Sequence, residues 1–411
     1  MTNPQSLIYI SSGDLPSLWA NTVQTAKMAQ AFSDKVRHFE LLTSGDIVST
    51  FRGMDSDFKN WYGLEKKYNL TRIPVHRSID YPFPKSYWNR RYFDLSVLYT
   101  CLKSPVLAYT RNPLIVELMA GHGVPIIWEH HEPILPKSQH SLLLKITELI
   151  GMVTTSTQLA KTFVKSGFDR KDVFVAPNAV DMDDFSPEVG QSEARSQLDL
   201  PLSKSIALYS GHLYDYKGIP NLLNVAKLLP DCLFLLVGGW KDDAERVRLI
   251  CKDRQLLNVH VVGHVKKSDL ATYLFASDIC LLPTSQTWEQ AHVTCPLKLF
   301  DYMAARRPIV SSALPTIMQT IQDQETALLV EPDNPRAWEE AISSLLNQPS
   351  LSQRLAENAF QQVKTLTWER RAAETLKFAS AKLNALEPKS SNPRLSIARQ
   401  IFHKIRKRFK H

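Results

Sequence analysis

Short apolar runs recur along the whole chain, and between them apolar residues return every three or four positions. Runs of four to six residues predict strands, and the intervening period predicts helices. In the first half the pattern predicts a strand at 6–11, a loop at 12–21 and a helix through Phe32, then a strand at 39–42. After aromatic-rich segments around Trp61 and between Tyr81 and Tyr92, the alternation becomes regular from Pro105. Strands are expected at 106–109, 124–128, 152–155 and 173–176, with helices at 113–120, 142–150 and 158–165. The second half repeats this, with strands at 205–209, 233–237, 259–262, 278–282, 309–311 and 327–330. Runs that do not alternate with polar residues belong to strands buried on both faces, and strand–helix alternation makes the sheets parallel and doubly wound.

A length of 411 residues exceeds what one core usually spans, so two such α/β domains are expected. We place the first at 1–186, a polar linker at 187–204 and the second at 205–367. A helix follows at 368–386, and a basic amphipathic tail at 387–411 closes the chain. Ligands of doubly wound sheets sit beyond the carboxyl ends of the strands, which directs attention to a cleft between the domains.

Composition narrows the function classes. Hydrophobic content of 44% with 22% charged residues is that of a soluble protein, and no apolar run reaches a membrane span. The amino terminus has neither a basic region nor a cleavage site, so a cytoplasmic protein is expected. Five widely spaced cysteines point to reduced thiols and not to disulfides or zinc. The dinucleotide glycine fingerprint and the Walker pattern are absent, which removes the main support for hydride transfer and P-loop chemistry. The net charge of +8 is uneven, with Lys404, Arg406, Lys407, Arg408 and Lys410 among the last eight residues. Over 394–411, Leu395, Ala398, Ile401, Phe402, Ile405 and Phe409 fall on one helical stripe between these bases. That pattern suits an anionic membrane surface better than nucleic acid, and predicts peripheral attachment to the inner face of the membrane.

Candidate chemistry gathers at strand ends. Between the runs at 278–282 and 308–312, Thr294 or Cys295 can cap a helix with Pro296 in its first turn. The N–H groups of Leu297, Lys298 and Leu299 then form an anion seat, which Lys298 reinforces. Asp301 lies one turn further on, placed to accept from sugar hydroxyls. Gly211, His212, Lys217 and Gly218 follow the first strand of the second half, where Gly211 admits a close ligand and Lys217 can neutralise a phosphate. In the first half, Thr110 and Arg111 follow one strand, and Glu129, His130, His131 and Glu132 follow another. Adjacent histidines at a strand end point in opposite directions, which disfavours a shared metal ion. Asp181-Met182-Asp183 matches an Asp-x-Asp metal signature, but its place at the end of the first domain assigns it to capping and turn chemistry.

The segments CPLKLFDYMAARRPIVSSALP, GHLYDYKGIPNLL, VAPNAVDMDDFSP and TWERRA resemble motifs of family 4 glycosyltransferases over nearly all of residues 170–380. The first half is similar more loosely, through YTRNP and IIWEHHE. The resemblance implies a GT-B fold, two Rossmann-like domains facing a cleft, with the terminal helix crossing back to brace the first domain. It implies transfer of a sugar from a nucleotide-sugar donor, UDP- or GDP-linked, with retention of configuration and without a metal or other cofactor. The acceptor would be a glycan or a lipid-linked molecule in cell-surface polysaccharide or glycolipid synthesis. The donor would lie on Gly211, His212, Lys217, Gly218, Pro296, Leu297, Lys298 and Asp301, with Gly13 contributed by the first loop. His131 falls where the family has a cleft histidine, with His130 as the alternative, and Lys217 would stabilise the leaving diphosphate. Four positions depart from the family. His212 replaces an arginine, Asp301 conservatively replaces the second of two glutamates, Val293 replaces the first, leaving Glu289 as the nearest upstream acid, and Arg306 replaces a glycine. Two further readings therefore stay open: a non-catalytic binding subunit built on the same fold, and a sugar-nucleotide epimerase.

Overall fold

The computed structural model describes residues 4–17, 20–45, 54, 56–74, 85–103, 106–133 and 137–386. The first sheet is built from β1 (Ser6–Asp14), β2 (His38–Gly45), β3 (Leu70–Pro74), β4 (Leu107–Thr110), β5 (Ile126–Glu129), β6 (Leu149–Thr154) and β7 (Val173–Val175). Its order is β3-β2-β1-β4-β5-β6-β7, and every pairing is parallel. Helices α1 (Ala20–Ser33), α2 (Ser56–Tyr62), α3 (Lys85–Leu102), α4 (Pro113–Met119), α5 (Lys137–Leu143) and α6 (Thr157–Lys165) connect the strands. Leu7 and Tyr9 of β1 join the core on one face of the sheet, and Ile8 and Ile10 join the core on the other. Burial on both faces is the reason these strands read as unbroken apolar runs.

The second sheet, among the described residues, has the order β10-β9-β8-β11-β12-β13, again parallel. Its strands are β8 (Ile206–Ser210), β9 (Leu233–Val237), β10 (Val259–Gly263), β11 (Ile279–Leu282), β12 (Ile309–Ser312) and β13 (Leu328–Val330). Helix α7 (Gln191–Gln197) precedes β8, and α8 (Ile219–Leu228), α9 (Lys241–Asp253), α10 (Lys267–Ala276), α11 (Leu297–Ala304), α12 (Pro335–Asn347) and α13 (Pro349–Val363) follow in turn. The strand order reverses beside β1 in one sheet and beside β8 in the other. These are the switch points at which doubly wound sheets open a crevice.

Contacts from two segments join the domains. Helix α14 (Trp368–Ala385) places Trp368, Ala372, Leu376 and Ala379 in the first domain's core. The loop before α11 is gripped from the same side, with Ser156 Oγ donating to the Val293 carbonyl at 3.0 Å and Asn178 Nδ2 to the Cys295 carbonyl at 2.6 Å. Val293 itself is buried in a first-domain cluster with Ile8 and Ile10.

Three expectations need correction. Strand β1 runs on to Asp14, because pairing with β2 resumes past an irregularity between Ser11 and Asp14, so Gly13 belongs to a strand end and not to a loop. The helix expected at 142–150 is α5 instead, and β6 begins at Leu149. Leu142 and Leu144 are exposed, and the chain leaves the helix through tight turns at Lys145 and Ile146. The segment 187–204 is not a bare linker. It contains α7, whose buried Arg195 donates to the Ala276 carbonyl at 2.9 Å and to Asp278 at 2.7 Å, fastening it to the second domain. The tail 387–411 lies outside the described residues.

Candidate functional site

On the second domain, Gly211 and the short helical turn Asp215–Lys217 follow β8 at its carboxyl end. Gly218 closes that turn with φ at 85°, and a Cβ there would lie 1.7 Å from the Pro283 carbonyl oxygen, so only glycine fits. This tight junction sets Lys217 against the loop after β11, where its Nζ sits 3.8 Å from the Trp288 ring centroid and 5.1 Å from that of Tyr216. Lys298, from the first turn of α11, places its Nζ 3.8 Å from the Tyr209 centroid. A Cβ on Gly211 would come within 2.6 Å of that Nζ, so the glycine makes room for the ammonium. Burial lowers the Lys217 ammonium to about 8. Burial, and then the neighbouring Lys217, push Lys298 well below the usual lysine range. Among the described residues neither ammonium has a carboxylate partner, since Asp301 is paired elsewhere.

Helix α11 begins one residue later than the pattern suggested. Pro296 occupies the cap and no side chain caps the end, because Thr294 Oγ1 turns back to the Gln290 carbonyl. Leu299 N–H takes the Pro296 carbonyl at 3.2 Å, which leaves the Leu297 and Lys298 N–H groups of the expected seat without acceptors among the described residues. Asp301 Oδ1 accepts from Lys267 Nζ at 2.9 Å, and Lys267 also lies 3.7 Å from Asp184. Glu289 is exposed on the turn that follows Trp288. His212 is stacked between Tyr214, at 5.1 Å, and Trp240, at 5.6 Å. Burial, and then Lys298 and Lys217, lower its pKa, so it faces the site as neutral imidazole.

On the first domain the organising group is Glu129, fully buried at the end of β5. Its carboxylate accepts from Arg371 Nη2 at 2.6 Å, His131 Nε2 at 2.7 Å, Gln24 Nε2 at 3.0 Å and the Tyr109 hydroxyl. Burial by itself would raise its pKa. Arg371, the hydrogen bond from His131 and the charge of Arg111 outweigh burial and hold the carboxyl well below the usual range. Arg111 Nη2 lies 2.9 Å from His131 Nδ1, and because a guanidinium only donates, Nδ1 accepts and Nε2 carries the proton. Burial and Arg111 push the His131 ring down to about 4, against the pull of Glu129, so it is neutral with both nitrogens engaged. His130 points the other way, tilted over Trp128 with centroids 4.6 Å apart. Of the two histidines, His131 faces the residues at the strand ends.

A chain of charges crosses between the domains. Lys27 of α1 pairs with Asp181 at 2.5 Å and with Asp184 at 3.2 Å, and Asp184 leads through Lys267 to Asp301. Asp181 also caps the turn Met182–Phe185, accepting from the Asp183 N–H at 3.2 Å. Among the described residues no group of three His, Cys, Asp or Glu side chains is arranged to hold a metal ion. No described helix is long and apolar enough to cross a membrane.

Sequence reasoning missed Gln24, Tyr109 and Arg371 around Glu129, and Trp288 and Lys267 near the lysines. One signal was available for Arg371, which shares the apolar face of α14 with Trp368, Ala372 and Thr375. An arginine on a buried stripe needs a buried acid.

Residues 190–362 match the family model described as Glycosyl transferases group 1. A D-inositol 3-phosphate glycosyltransferase of Xylanimonas cellulosilytica is 26% identical over 239 residues, 55% of each chain. The chain thus spans about half the length of the curated relatives it matches. Among solved structures, sucrose-phosphate synthase from Thermosynechococcus elongatus overlays with a TM-score of 0.73 at 21% identity, covering 93% of this chain and 100% of the other. Anabaena HepE, solved in complex with UDP-glucose, gives 0.70 at 14% identity, covering 90% and 99%. The expected two-domain GT-B architecture is the one these neighbours share.

Proposed function

From the glycosyl transferases group 1 domain at residues 190–362, we propose that the chain is a retaining glycosyltransferase that needs no metal. It moves a sugar from a nucleotide-sugar donor, held by the second domain, to a glycan or lipid-linked acceptor on the first. The observation that carries this reading is the pair Lys217 and Lys298, two desolvated cations parked on aromatic rings with no ion-pair partner among the described residues, beside the open N–H groups of α11. Such a site is electrostatically incomplete without an anion. A donor diphosphate completes it, and the charge that grows as the sugar departs is stabilised by cations already in position. The complex of HepE with UDP-glucose supports a UDP-linked donor over a GDP-linked one. Gly211, Gly218 and Pro296 shape the seat, and Asp301 offers its carboxylate to the ribose. In this reading His131 is a neutral ring that holds Arg111 in place, not a proton carrier. The basic, amphipathic composition of 394–411 supports attachment to an anionic membrane surface, where a lipid-linked acceptor resides.

Acceptor-dependent release of nucleoside diphosphate, measured over a panel of UDP- and GDP-sugars, tests the proposal. A second reading, a binding subunit without catalysis, is favoured by Val293, which buries an apolar side chain where the family has an acid. Donor binding with no release for any donor and acceptor would establish that second reading. Conversion of the donor sugar without an acceptor would point to epimerisation.

A further inference from the structure

We propose that Arg111 is the docking point for an oxyanion carried by the acceptor, so that the substrate entering the first domain is a phosphate-bearing molecule. The inference rests on the glycosyltransferase reading and specifies its second substrate. Arg111 follows β4 directly, at the switch point where β4 lies beside β1. Three contacts hold its guanidinium. Nη1 donates to Gln24 Oε1 at 2.6 Å and approaches the Asn21 carbonyl at 3.5 Å, and Nη2 donates to His131 Nδ1 at 2.9 Å. A guanidinium has five N–H groups, which leaves two, one on Nε and one on Nη2. Among the described residues neither has an acceptor. Two spare donors on one charged guanidinium suit two oxygens of a phosphate or carboxylate.

The charge balance points the same way. The partners that hold Arg111 are an amide, a carbonyl and a neutral imidazole, and none of them offsets its charge. Glu129 stands behind His131 and is already matched by Arg371 at 2.6 Å. The group Arg111, His131, Glu129 and Arg371 therefore carries one net positive charge, located on the residue at the open strand end. Arg111 is half-buried and held in one orientation before any ligand arrives, so little side-chain entropy remains to be lost on binding. It differs in kind from Lys217 and Lys298, which belong to the other domain and face the donor.

The test uses the full chain with its donor site filled by UDP, so that phosphate cannot report on the lysines. Inorganic phosphate is titrated calorimetrically into wild type, Arg111→Gln and Arg111→Lys at constant ionic strength. Wild type is expected to bind one phosphate. Arg111→Gln should weaken it at least tenfold, and Arg111→Lys, which keeps the charge but loses the fork, should fall between them, all with unchanged UDP affinity. The same comparison with inositol 1-phosphate and with vesicles of phosphatidylinositol in phosphatidylcholine identifies the source. A tenfold loss in Arg111→Gln for the ester alone assigns a soluble acceptor, and a loss for the vesicles assigns a lipid headgroup. Equal phosphate binding by wild type and Arg111→Gln, or no phosphate binding by UDP-saturated wild type, overturns the proposal. Failure of wild type to bind UDP at all would instead remove the glycosyltransferase reading on which it rests.

Discussion

Replacing Arg371 with methionine should unfasten the terminal helix from the first domain, and the size of the effect follows from burial. The side chains of Glu129 and Arg371 are 0% and 3% exposed and meet at 2.6 Å. Removing one member of such a pair leaves the other charge in a dry site, which costs about 3–5 kcal/mol. The remaining donors to Glu129, from Gln24, His131 and Tyr109, are neutral and compensate only in part. For a unit of roughly 200 residues each kcal/mol moves the melting temperature by about 2–4 °C, so the first domain should melt roughly 6–20 °C lower. The pH dependence supplies a sharper criterion. In wild type the Glu129 carboxyl titrates below its unfolded value, so its contribution is fully present above about pH 4.5 and is lost as pH falls through the folded value. Without Arg371, burial dominates and the folded pKa rises above the unfolded one. Arg371→Met should therefore gain stability as pH falls from 7 toward 5, where wild type holds level, and Glu129→Gln added to it should restore most of the loss. Calorimetric melting of wild type, Arg371→Met and the double variant between pH 5 and 8 is the assay. A melting temperature within 2 °C of wild type, or parallel pH profiles, would refute the argument that this pair is a buried ion pair fixing the helix.

Three further outcomes are expected. Lys217→Ala should weaken UDP binding by about 1.5–3 kcal/mol, the worth of a charge-assisted hydrogen bond. Because its ammonium deprotonates near 8, wild-type affinity should fall between pH 7 and 9, and Lys217→Arg should flatten that limb; calorimetry at fixed ionic strength reads both. Asp301→Asn should weaken UDP while sparing inorganic pyrophosphate, and an equal loss for both would mean that Asp301 acts through its bond to Lys267. Truncation after Leu386 should abolish sedimentation with anionic liposomes and leave UDP binding intact, and equal sedimentation of both forms would exclude the tail as an anchor.

The sequence alone determined the architecture. Unbroken apolar runs such as Leu233–Val237, separated by helices of their own period, admit little other than parallel sheets covered on both faces, and strand β9 spans those same residues. Local chemistry also marked Gly218 and the start of α11 as special, because glycine and proline restrict the backbone wherever they occur. Elements whose limits are set by neighbours were not legible. Strand β1 reaches Asp14 only because β2 lies alongside it, and α7 is anchored only because Asp278 lies in reach of Arg195. The site depended still more on the fold. Glu129 is joined to Gln24, 105 positions away, and to Arg371, 242 positions away, and Lys27 reaches Asp181 across 154. No local pattern encodes such pairings, since a buried charge is stable only beside a partner that the folded chain brings to the same point. The two lysines show the division most clearly. Their positions after β8 and at the head of α11 were readable from the sequence. That Trp288 and Tyr209 would cradle them, while Asp301 pairs with Lys267, was decided by the tertiary structure.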